Sequence, residues 1–341
     1  MSHDWRASQA ANSSRSMRLT ARCSADRSGG WSRPWKRFQL RTVTAAIYDA
    51  RVTRHFLTGE ELTDDELAGL LERAAELKAD RLASRALEGR SVALIFEKPS
   101  TRTRISFEVG IGELGGHAVV LREGEMQLSR GESVRDTALV LSRYVAAIGV
   151  RTGAHAPVAE LAEHADVPVV NMLTADHHPC QALADLLTLK ERFGRLEGLK
   201  LAYVGDGNNV AHSLMIIAPK VGVEVTVATP AELAPQRVGS ATVLTDPGEA
   251  VEAANAVYAD VWFSMGDEDA DGKRALLEPY RLDEALLSRA SDDAVALHCL
   301  PAHVDEEITA GVLYGPQSAV WDQAENRLHA QKALLELLVA R

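Results

Sequence analysis

The sequence has few cysteines and no arrangement of them that would organise a fold. Only three occur in 341 residues, at Cys23, Cys180 and Cys299, with no CxxC pair and no histidine cluster at metal-ligand spacing. This excludes a disulfide framework and a structural zinc site. The sequence also has no run of 18 apolar residues and no apolar secretory segment at its start, so we expect a cytoplasmic protein without a membrane partner.

The glycine-rich loops of common nucleotide-binding proteins are missing as well. Gly205-Asp-Gly-Asn-Asn-Val210 lies between a strand pattern and a helix pattern, but Val210 stands where the dinucleotide-binding motif needs its third glycine. No GxxxxGK[ST] segment occurs. These absences argue against a dinucleotide-dependent enzyme and a P-loop nucleotidase. Asn208 and Asn209 are therefore interpreted as helix caps or as contacts for a ligand carboxylate.

Charge divides the chain into two unlike parts. The net charge is −11, yet residues 1–54 carry 11 basic and 3 acidic side chains, whereas the remaining 287 residues carry 26 basic and 45 acidic ones. The resulting net charge of −19 on the main body argues against a nucleic-acid partner and favours small-molecule ligands. Residues 1–50 are accordingly predicted to be a basic, disordered leader outside the fold.

Two interpretations of this leader are open. Its arginine and serine content fits a mitochondrial presequence, which would direct the protein to the matrix. Its Trp5, Trp31 and Trp35, together with a Gly-Gly pair, suit an amphipathic targeting helix poorly. This composition favours a leader that results from a start site placed too early, with Met17 as a later candidate start.

Beyond the leader, apolar patterns predict alternating strands and helices. Thr63 and Glu66 form a capping box before a helix over about 64–80, and a strand over 91–96 is stopped by Pro99. Further strands are predicted at 118–121, 147–150, 167–170, from 200, and at 223–228, 256–260 and 294–298, with helices at 133–145, 156–164, 179–192, 209–221 and 324–339. This rhythm predicts the α/β class, with two doubly wound parallel-sheet domains joined by helices. The first domain is predicted over 51–190, together with a C-terminal helix over 324–341. The second domain is predicted over 191–323.

Polar clusters fall repeatedly where predicted strands end, which is where open parallel sheets bind ligands. Ser100-Thr-Arg-Thr103 begins a helix after a strand, so hydroxyls, backbone N–H groups and a guanidinium can converge on one anion, and a phosphate would suit this place. Arg151 and Cys299 also end strands, and Asp260 follows one. The carboxylate of Asp260 would suit a cationic or amino-acid ligand, although an ordinary loop entry is an equal alternative.

Six motifs follow one another along the chain. They are Phe96-Glu-Lys-Pro-Ser-Thr-Arg-Thr-Arg104, His178-Pro-Cys-Gln181, Gly205-Asp-Gly-Asn-Asn209, Asp260-Val-Trp-Phe-Ser-Met-Gly266, His298-Cys-Leu-Pro301 and Ala324-Glu-Asn-Arg327. In this order they resemble those of the aspartate/ornithine carbamoyltransferase superfamily, and in particular of its ornithine branch. The resemblance covers about 85% of the chain from Arg54 onward, with a shorter segment between Pro230 and Thr245 and Val304 at a position that is often Arg.

The resemblance implies an enzyme of arginine metabolism that transfers the carbamoyl group of carbamoyl phosphate to the δ-amine of L-ornithine. The products would be L-citrulline and phosphate, and neither a metal nor an organic cofactor would take part. The catalytic residues implied in this way are Arg102, Arg151, His178, Cys299 and Arg327. The first domain, over 51–190, would bind carbamoyl phosphate and the second would bind ornithine.

The resemblance also implies the ligands of each substrate. The phosphate would bind Ser100, Thr101, Arg102, Thr103 and Arg151. The carbamoyl group would bind Thr103, Arg151, His178, Gln181, Cys299, Arg327 and the backbone beside Leu300. Ornithine would contact Asn209 through its α-carboxylate, Asp260 through its α-ammonium, Ser264 and Met265 along its chain, and a Cys299 thiolate near its δ-amine.

Assembly and substrate identity also follow from the resemblance. It implies a homotrimer or a multiple of trimers, with Gln127-Leu-Ser-Arg-Gly-Glu-Ser133 contacting a neighbour's site. A carbamoyltransferase acting on putrescine, N-acetylornithine or N-succinylornithine remains an alternative, as does a non-catalytic homologue that only binds carbamoyl phosphate or an amino acid. Asp260 followed by an intact Ser-Met-Gly favours a free α-ammonium, and therefore ornithine.

Overall fold

The computed structural model describes residues 53–126, 131–235, 239–263 and 270–340. Its first half alternates strands with helices from a capped first helix onward. The strands are β1 (Ser91–Phe96), β2 (His117–Arg122), β3 (Ala147–Arg151) and β4 (Val169–Leu173), and the helices are α1 (Asp64–Ala79), α2 (Thr101–Glu113), α3 (Val134–Leu141), α4 (Ala156–His164) and α5 (Pro179–Phe193). All strands pair in parallel, in the order β2-β1-β3-β4.

A second parallel sheet follows, in the order β7-β6-β5-β8-β9. Here β5 is Lys200–Val204, β6 is Glu224–Ala228, β7 is Thr242–Leu244, β8 is Ala256–Ala259 and β9 is Val295–His298. The helices are α6 (Asn209–Ile217), α7 (Pro247–Ala250), α8 (Ala270–Leu277), α9 (Glu284–Leu287), α10 (Ala310–Leu313) and α11 (Val320–Val339). Short 3-10 turns cover Glu123–Glu125, Ala218–Val221, Ala231–Leu233 and Glu278–Tyr280.

Helices cover both faces of each sheet. Successive side chains of a strand point to opposite faces, so each strand contributes to two cores. In β1, Leu94 and Phe96 belong to the core that α1, α2, α5 and α11 cover, whereas Ala93 and Ile95 face α3 and α4. In β5, Tyr203 faces α6, whereas Ala202 faces the core formed with α7, α9 and α10. The predicted fold class, two doubly wound parallel-sheet α/β domains, is confirmed.

Each sheet has one topological switch point, on either side of which the chain adds strands in opposite directions. Ligand sites form at such points. In the first sheet the switch point lies between β1 and β3, where Phe96 pairs with Arg151. In the second it lies between β5 and β8, where Val204 pairs with Ala259. Ser100 and Asp260 follow β1 and β8 at these places, and Arg151 is the last residue of β3.

Helices α5 and α11 join the two halves. Buried residues of α5, α6 and α11 belong to one core cluster, which extends from the first sheet into the second. Helix α11 packs on α5, α1 and α2, and Lys332 Nζ lies 2.7 Å from Glu113 Oε2 in α2. The arginine at position 327 is thereby brought next to the start of α2.

Several predicted bounds differ from the structure. The predicted strand over 167–170 is Val169–Leu173, the helix over 133–145 ends at Leu141, and the last helix begins at Val320 rather than 324. Strand β7 was not predicted. The shorter segment before Thr245 has no α-helix among its described residues, 231–235 and 239–246.

The leader predicted over residues 1–50 lies outside the described residues. Among the helices that the structure describes, none combines the length and the apolar character needed to cross a bilayer.

Candidate active site

The start of α2 presents donors to the ligand edge of the first sheet. The Ser100 hydroxyl caps the helix by accepting from the Thr103 N–H at 3.3 Å, and Thr101 is the first helical residue. Free backbone N–H groups and the positive end of the helix dipole favour an anion here. The helix start expected after a strand is therefore present.

Three arginines converge on this helix start. The Thr103 hydroxyl accepts from Arg151 Nη1 at 3.3 Å and from Arg327 Nη2 at 2.7 Å. Burial, and then the charges of Arg327 and Arg102, lower the pKa of Arg151 to about 10, and burial also lowers that of Arg327. Within the described ranges, no carboxylate lies within 4.0 Å of a guanidinium nitrogen of these arginines. Such a concentration of unneutralised positive charge is suited to an anionic ligand.

The start of α5 brings a neutral imidazole to the same place. The backbone N–H of His178 donates to Ser213 Oγ at 2.7 Å, and His178 Nε2 lies 3.5 Å from Arg327 Nη1. Burial, followed by the charges of Arg327 and Arg151, lowers the pKa of His178 well below its ordinary value. The imidazole is therefore neutral near pH 7 and can donate only one ring hydrogen bond.

Gln181, one turn further along α5, completes this group. It is fully buried, and its Oε1 accepts a hydrogen bond from Arg327 Nη1. The structure thus brings together Thr103, Arg151, His178, Gln181 and Arg327, which come from four different elements. A planar carbonyl group beside these donors would be contacted on several sides.

The ligand edge of the second sheet holds a buried carboxylate. Asp260 is 4% exposed and follows β8; its Oδ2 accepts from Asn208 Nδ2 at 2.8 Å. Asn208 also caps α6, through Oδ1, at the N–H groups of Val210 and Ala211. Of the two roles expected for Asn208, the helix cap is present; its side chain also donates to the carboxylate of Asp260, which was not expected.

Cys299 lies against the carboxylate of Asp260, and its expected role as a thiolate near the δ-amine stays a prediction. Its Sγ lies 2.7 Å from Asp260 Oδ1, and a thiol must donate in this pair because a carboxylate only accepts. Burial, followed by the negative charge of Asp260, raises the pKa of Cys299 well above its ordinary value. A cation bound to Asp260 would offset the contribution of this carboxylate to the raised pKa of Cys299.

The loop after β9 is shaped by a buried pair. His298 Nε2 lies 3.0 Å from Glu307 Oε1, and His298 Nδ1 accepts from the backbone N–H of Leu300 at 2.9 Å. Leu300 has φ 59°, a left-handed conformation that is costly for a side chain with a Cβ. The His298 contact holds the backbone in this conformation, next to Cys299.

Asn209 contacts the backbone of the other half of the molecule. Three other predicted positions lie outside the described residues. The Asn209 amide donates to the backbone carbonyl of Thr174 at 2.6 Å, so it joins the second half to the β4–α5 loop. Ser264, Met265 and the segment 127–130 lie outside the described residues. Ser133, the last residue of the predicted contact segment 127–133, caps α3.

Sequence reasoning missed Asp185, Ser213, Glu307 and Gln323. Asp185 accepts at one oxygen from both Gln181 and Gln323. The signal that was available is its spacing: an acid four residues after Gln181, within the otherwise apolar first three turns of a helix, should be buried with the glutamine.

A cavity of about 630 Å³ opens beside the start of α2. Its walls include Glu97, Ser100, Thr101, Arg104 and Arg122, but neither Arg151, His178 nor Arg327. It therefore borders the arginine cluster from outside, along the face where α2 is exposed.

Comparisons with known proteins find relatives that cover both halves of the chain. The family model "Aspartate/ornithine carbamoyltransferase, carbamoyl-P binding domain" matches residues 54–191, and the model "Aspartate/ornithine carbamoyltransferase, Asp/Orn binding domain" matches residues 197–338. Ornithine carbamoyltransferase of Acidothermus cellulolyticus is 55% identical over 301 residues, which are 84% of this chain and 96% of that protein.

Solved structures agree. The ornithine carbamoyltransferase from Pyrococcus furiosus superposes with a TM-score of 0.80 at 48% identity, covering 83% of this chain and 96% of that one. An N-acetyl-L-ornithine transcarbamylase variant gives a TM-score of 0.75 at 33% identity, covering 83% of this chain and 99% of that one. Of these two structures, the ornithine carbamoyltransferase from Pyrococcus furiosus is the more similar to this chain.

Proposed function

Since the chain belongs to the aspartate/ornithine carbamoyltransferase family, we propose that it catalyses carbamoyl transfer from carbamoyl phosphate to L-ornithine. The observation that carries this proposal is the convergence of Arg151 and Arg327 on Thr103 at a helix start, facing a carboxylate and a thiol on the second sheet. The first site suits a doubly charged phosphate with an attached carbonyl. The second suits an amino acid that carries ammonium groups.

We assign the phosphate to the start of α2. The hydroxyls and N–H groups of Ser100, Thr101 and Thr103 would donate to its oxygens, and Arg102 and Arg151 would neutralise its charge. The lowered pKa of Arg151 reflects burial and mutual repulsion among cations, both of which a phosphate dianion would offset. Binding energy should therefore be large here even though the body of the protein is acidic.

We assign the carbamoyl group to the neighbouring donors. Thr103, Arg151, Arg327 and the neutral His178 would surround its oxygen, with the backbone beside Leu300 and the Cys299 side chain on its other side. Gln181 would accept from its amide. Negative charge grows on the carbonyl oxygen as an amine attacks, and fixed donors placed there lower the barrier.

The reaction needs no covalent intermediate. The neutral δ-amine of ornithine attacks the carbonyl carbon, an N–C bond forms, the C–O bond to phosphate breaks, and the amine proton leaves with the departing phosphate. The arginines stabilise the charge on that leaving group. The products are L-citrulline and inorganic phosphate.

Ornithine would bind across the two halves. Asp260 would hold the α-ammonium, and this cation would offset the charge that raises the pKa of Cys299. Asn209 would meet the α-carboxylate, which requires its present bond to Thr174 to open. Ser264 and Met265 would line the chain. In this proposal the domain over 51–190, joined by the helix over 324–341, binds carbamoyl phosphate, and 191–323 binds ornithine.

We also propose a homotrimer, or a multiple of trimers, in the cytoplasm. The support is a group of exposed apolar side chains on and beside α2 and α3, near the cavity at the start of α2, where a neighbour's segment 127–133 could enter. These side chains are Ile105, Val109, Leu139, Val140 and Tyr144. Sedimentation velocity should give a trimer or its multiple, and a fully active monomer would contradict the proposal. A chain cleaved near residue 50 in a mitochondrial fraction would contradict the location.

An assay of citrulline formation tests the reaction. Purified protein is given carbamoyl phosphate with ornithine, putrescine, N-acetylornithine or N-succinylornithine in parallel, and the carbamoylated product and phosphate are measured. We expect product with ornithine alone, because Asp260 offers a buried partner to a free α-ammonium. Turnover of putrescine or of an acylated ornithine instead would assign another carbamoyltransferase, and binding without turnover would leave a non-catalytic homologue.

A further inference from the structure

Asp185 is a buried carboxylate that contacts two glutamine side chains at once. It is fully buried in α5, one turn after Gln181, and its Oδ1 accepts from Gln181 Nε2 and from Gln323 Nε2, both at 2.7 Å. Because this one oxygen accepts from both amides, each amide turns its nitrogen toward Asp185. Each amide oxygen is then directed away from Asp185.

The two amide oxygens point to opposite halves of the proposed site. Gln181 Oε1 accepts from Arg327, which itself donates to Thr103 at 2.7 Å. Gln323 Oε1 accepts from the backbone N–H of His298 at 2.9 Å, at the residue before Cys299. One carboxylate therefore fixes an acceptor beside the carbamoyl site and also the end of β9.

We propose that Asp185 is a positioning residue that presents the oxygen of Gln181, and not its NH2 group, to the amino group of carbamoyl phosphate. This rests on the proposed function. An amide oxygen with a remaining lone pair accepts from an NH2 group but gives nothing to a methyl group of the same size. Asp185 would thus select carbamoyl phosphate over acetyl phosphate without touching either.

A purely structural role fits the surroundings less well. Asp185 Oδ2 is buried with no hydrogen-bond partner among the described residues, and burial raises the pKa of Asp185 to about 7. Its neighbours on α5, Ala184 and Leu186, are fully buried and apolar. A buried carboxyl with an unsatisfied oxygen stabilises a helix interface less than an apolar side chain of similar volume.

The test compares the affinities of the wild type and Asp185→Asn for carbamoyl phosphate and for acetyl phosphate, each measured by calorimetry without ornithine. Asparagine can donate as well as accept, so Gln181 can then present either end of its amide. We expect the preference for carbamoyl phosphate to fall about three- to tenfold, which is the effect of one neutral hydrogen bond. Asp185→Ala, which frees Gln181 altogether, should give the same fall and serves if the asparagine variant does not fold.

Two further variants separate positioning from general loss of structure. Gln181→Met should lower the preference equally, and adding Asp185→Asn to it should change nothing more, because both act through one contact. Thr188→Val removes a buried hydroxyl from α5, which donates to the Ala184 carbonyl and accepts from Asn326 Nδ2, and should leave the preference unchanged.

The outcomes separate this inference from the proposed function. If the wild type forms no citrulline, the proposed function is wrong. If the wild type is active and Gln181→Met loses the preference while Asp185→Asn and Asp185→Ala keep it, the positioning role of Asp185 is wrong and the proposed function stands.

Discussion

Asp260 is held from two sides before any ligand arrives. Asn208 donates to one carboxylate oxygen and the Cys299 thiol to the other, so the carboxylate cannot rotate to follow a ligand. An ammonium group must therefore approach along the directions left open at these oxygens. A charge-assisted hydrogen bond to such a fixed, buried carboxylate contributes about 1.5–3 kcal/mol.

Asp260→Asn should raise the KM for ornithine about 10- to 100-fold and leave the affinity for carbamoyl phosphate unchanged. The charge is lost while the shape is kept, and the bond from Asn208 can persist to the asparagine oxygen. Steady-state kinetics gives the KM, and calorimetry gives the affinity for carbamoyl phosphate. Arg102→Leu is the reciprocal control, since it should abolish carbamoyl phosphate binding. Equal loss of both substrates in Asp260→Asn would remove the assignment of Asp260 to ornithine.

Elements were predictable where local chemistry fixes them. Thr63 accepts from the Glu66 N–H and Glu66 accepts from the Thr63 N–H, so both bonds of the predicted capping box are present and α1 begins at the predicted residue. Ser100 likewise caps α2. These signals need only neighbours in sequence, and the sequence therefore contains them completely.

Elements were mispredicted where a distant partner decides. Strand β4 continues past Val170 through Asn171, whose backbone N–H donates to the Phe56 carbonyl and whose Nδ2 donates to the Leu57 carbonyl, both at 2.8 Å. Helix α11 begins before 324, and its Gln323 is buried against Asp185 and Tyr258. The apolar pattern of the sequence does not reveal these distant partners. A polar residue inside a buried element therefore resembles the end of that element.

At the scale of the whole molecule, the same distinction explains the site. Residues such as Ser100, Arg151 and Asp260 were predictable because parallel strands bring their ends to one edge. The bonds that join the two halves were not, since they depend on how the sheets are placed: Asn209 to Thr174, and the His178 N–H to Ser213. What each residue does in binding remains a prediction.

The buried Asp185 should also make the stability of the whole molecule depend on pH. Its pKa is about 7 in the folded protein because of burial, whereas an aspartate in an unfolded chain titrates near about 4. The folded state thus holds the proton more tightly. The stability that this provides is complete below about pH 4 and is lost as the pH rises to about 7.

The free energy of unfolding of the wild type, relative to that of Asp185→Asn, should therefore fall between pH 5 and pH 8, as measured by urea denaturation at both values. Asparagine does not titrate, and the histidines with lowered pKa are shared by both proteins and cancel in the difference; they are His55, His177, His178 and His329. Thr188→Val, which keeps Asp185, should follow the wild type in its pH dependence. If the difference between the wild type and Asp185→Asn is the same at both pH values, the carboxyl of Asp185 is ionised throughout, and its burial is offset by Gln181, Gln323 and Arg327.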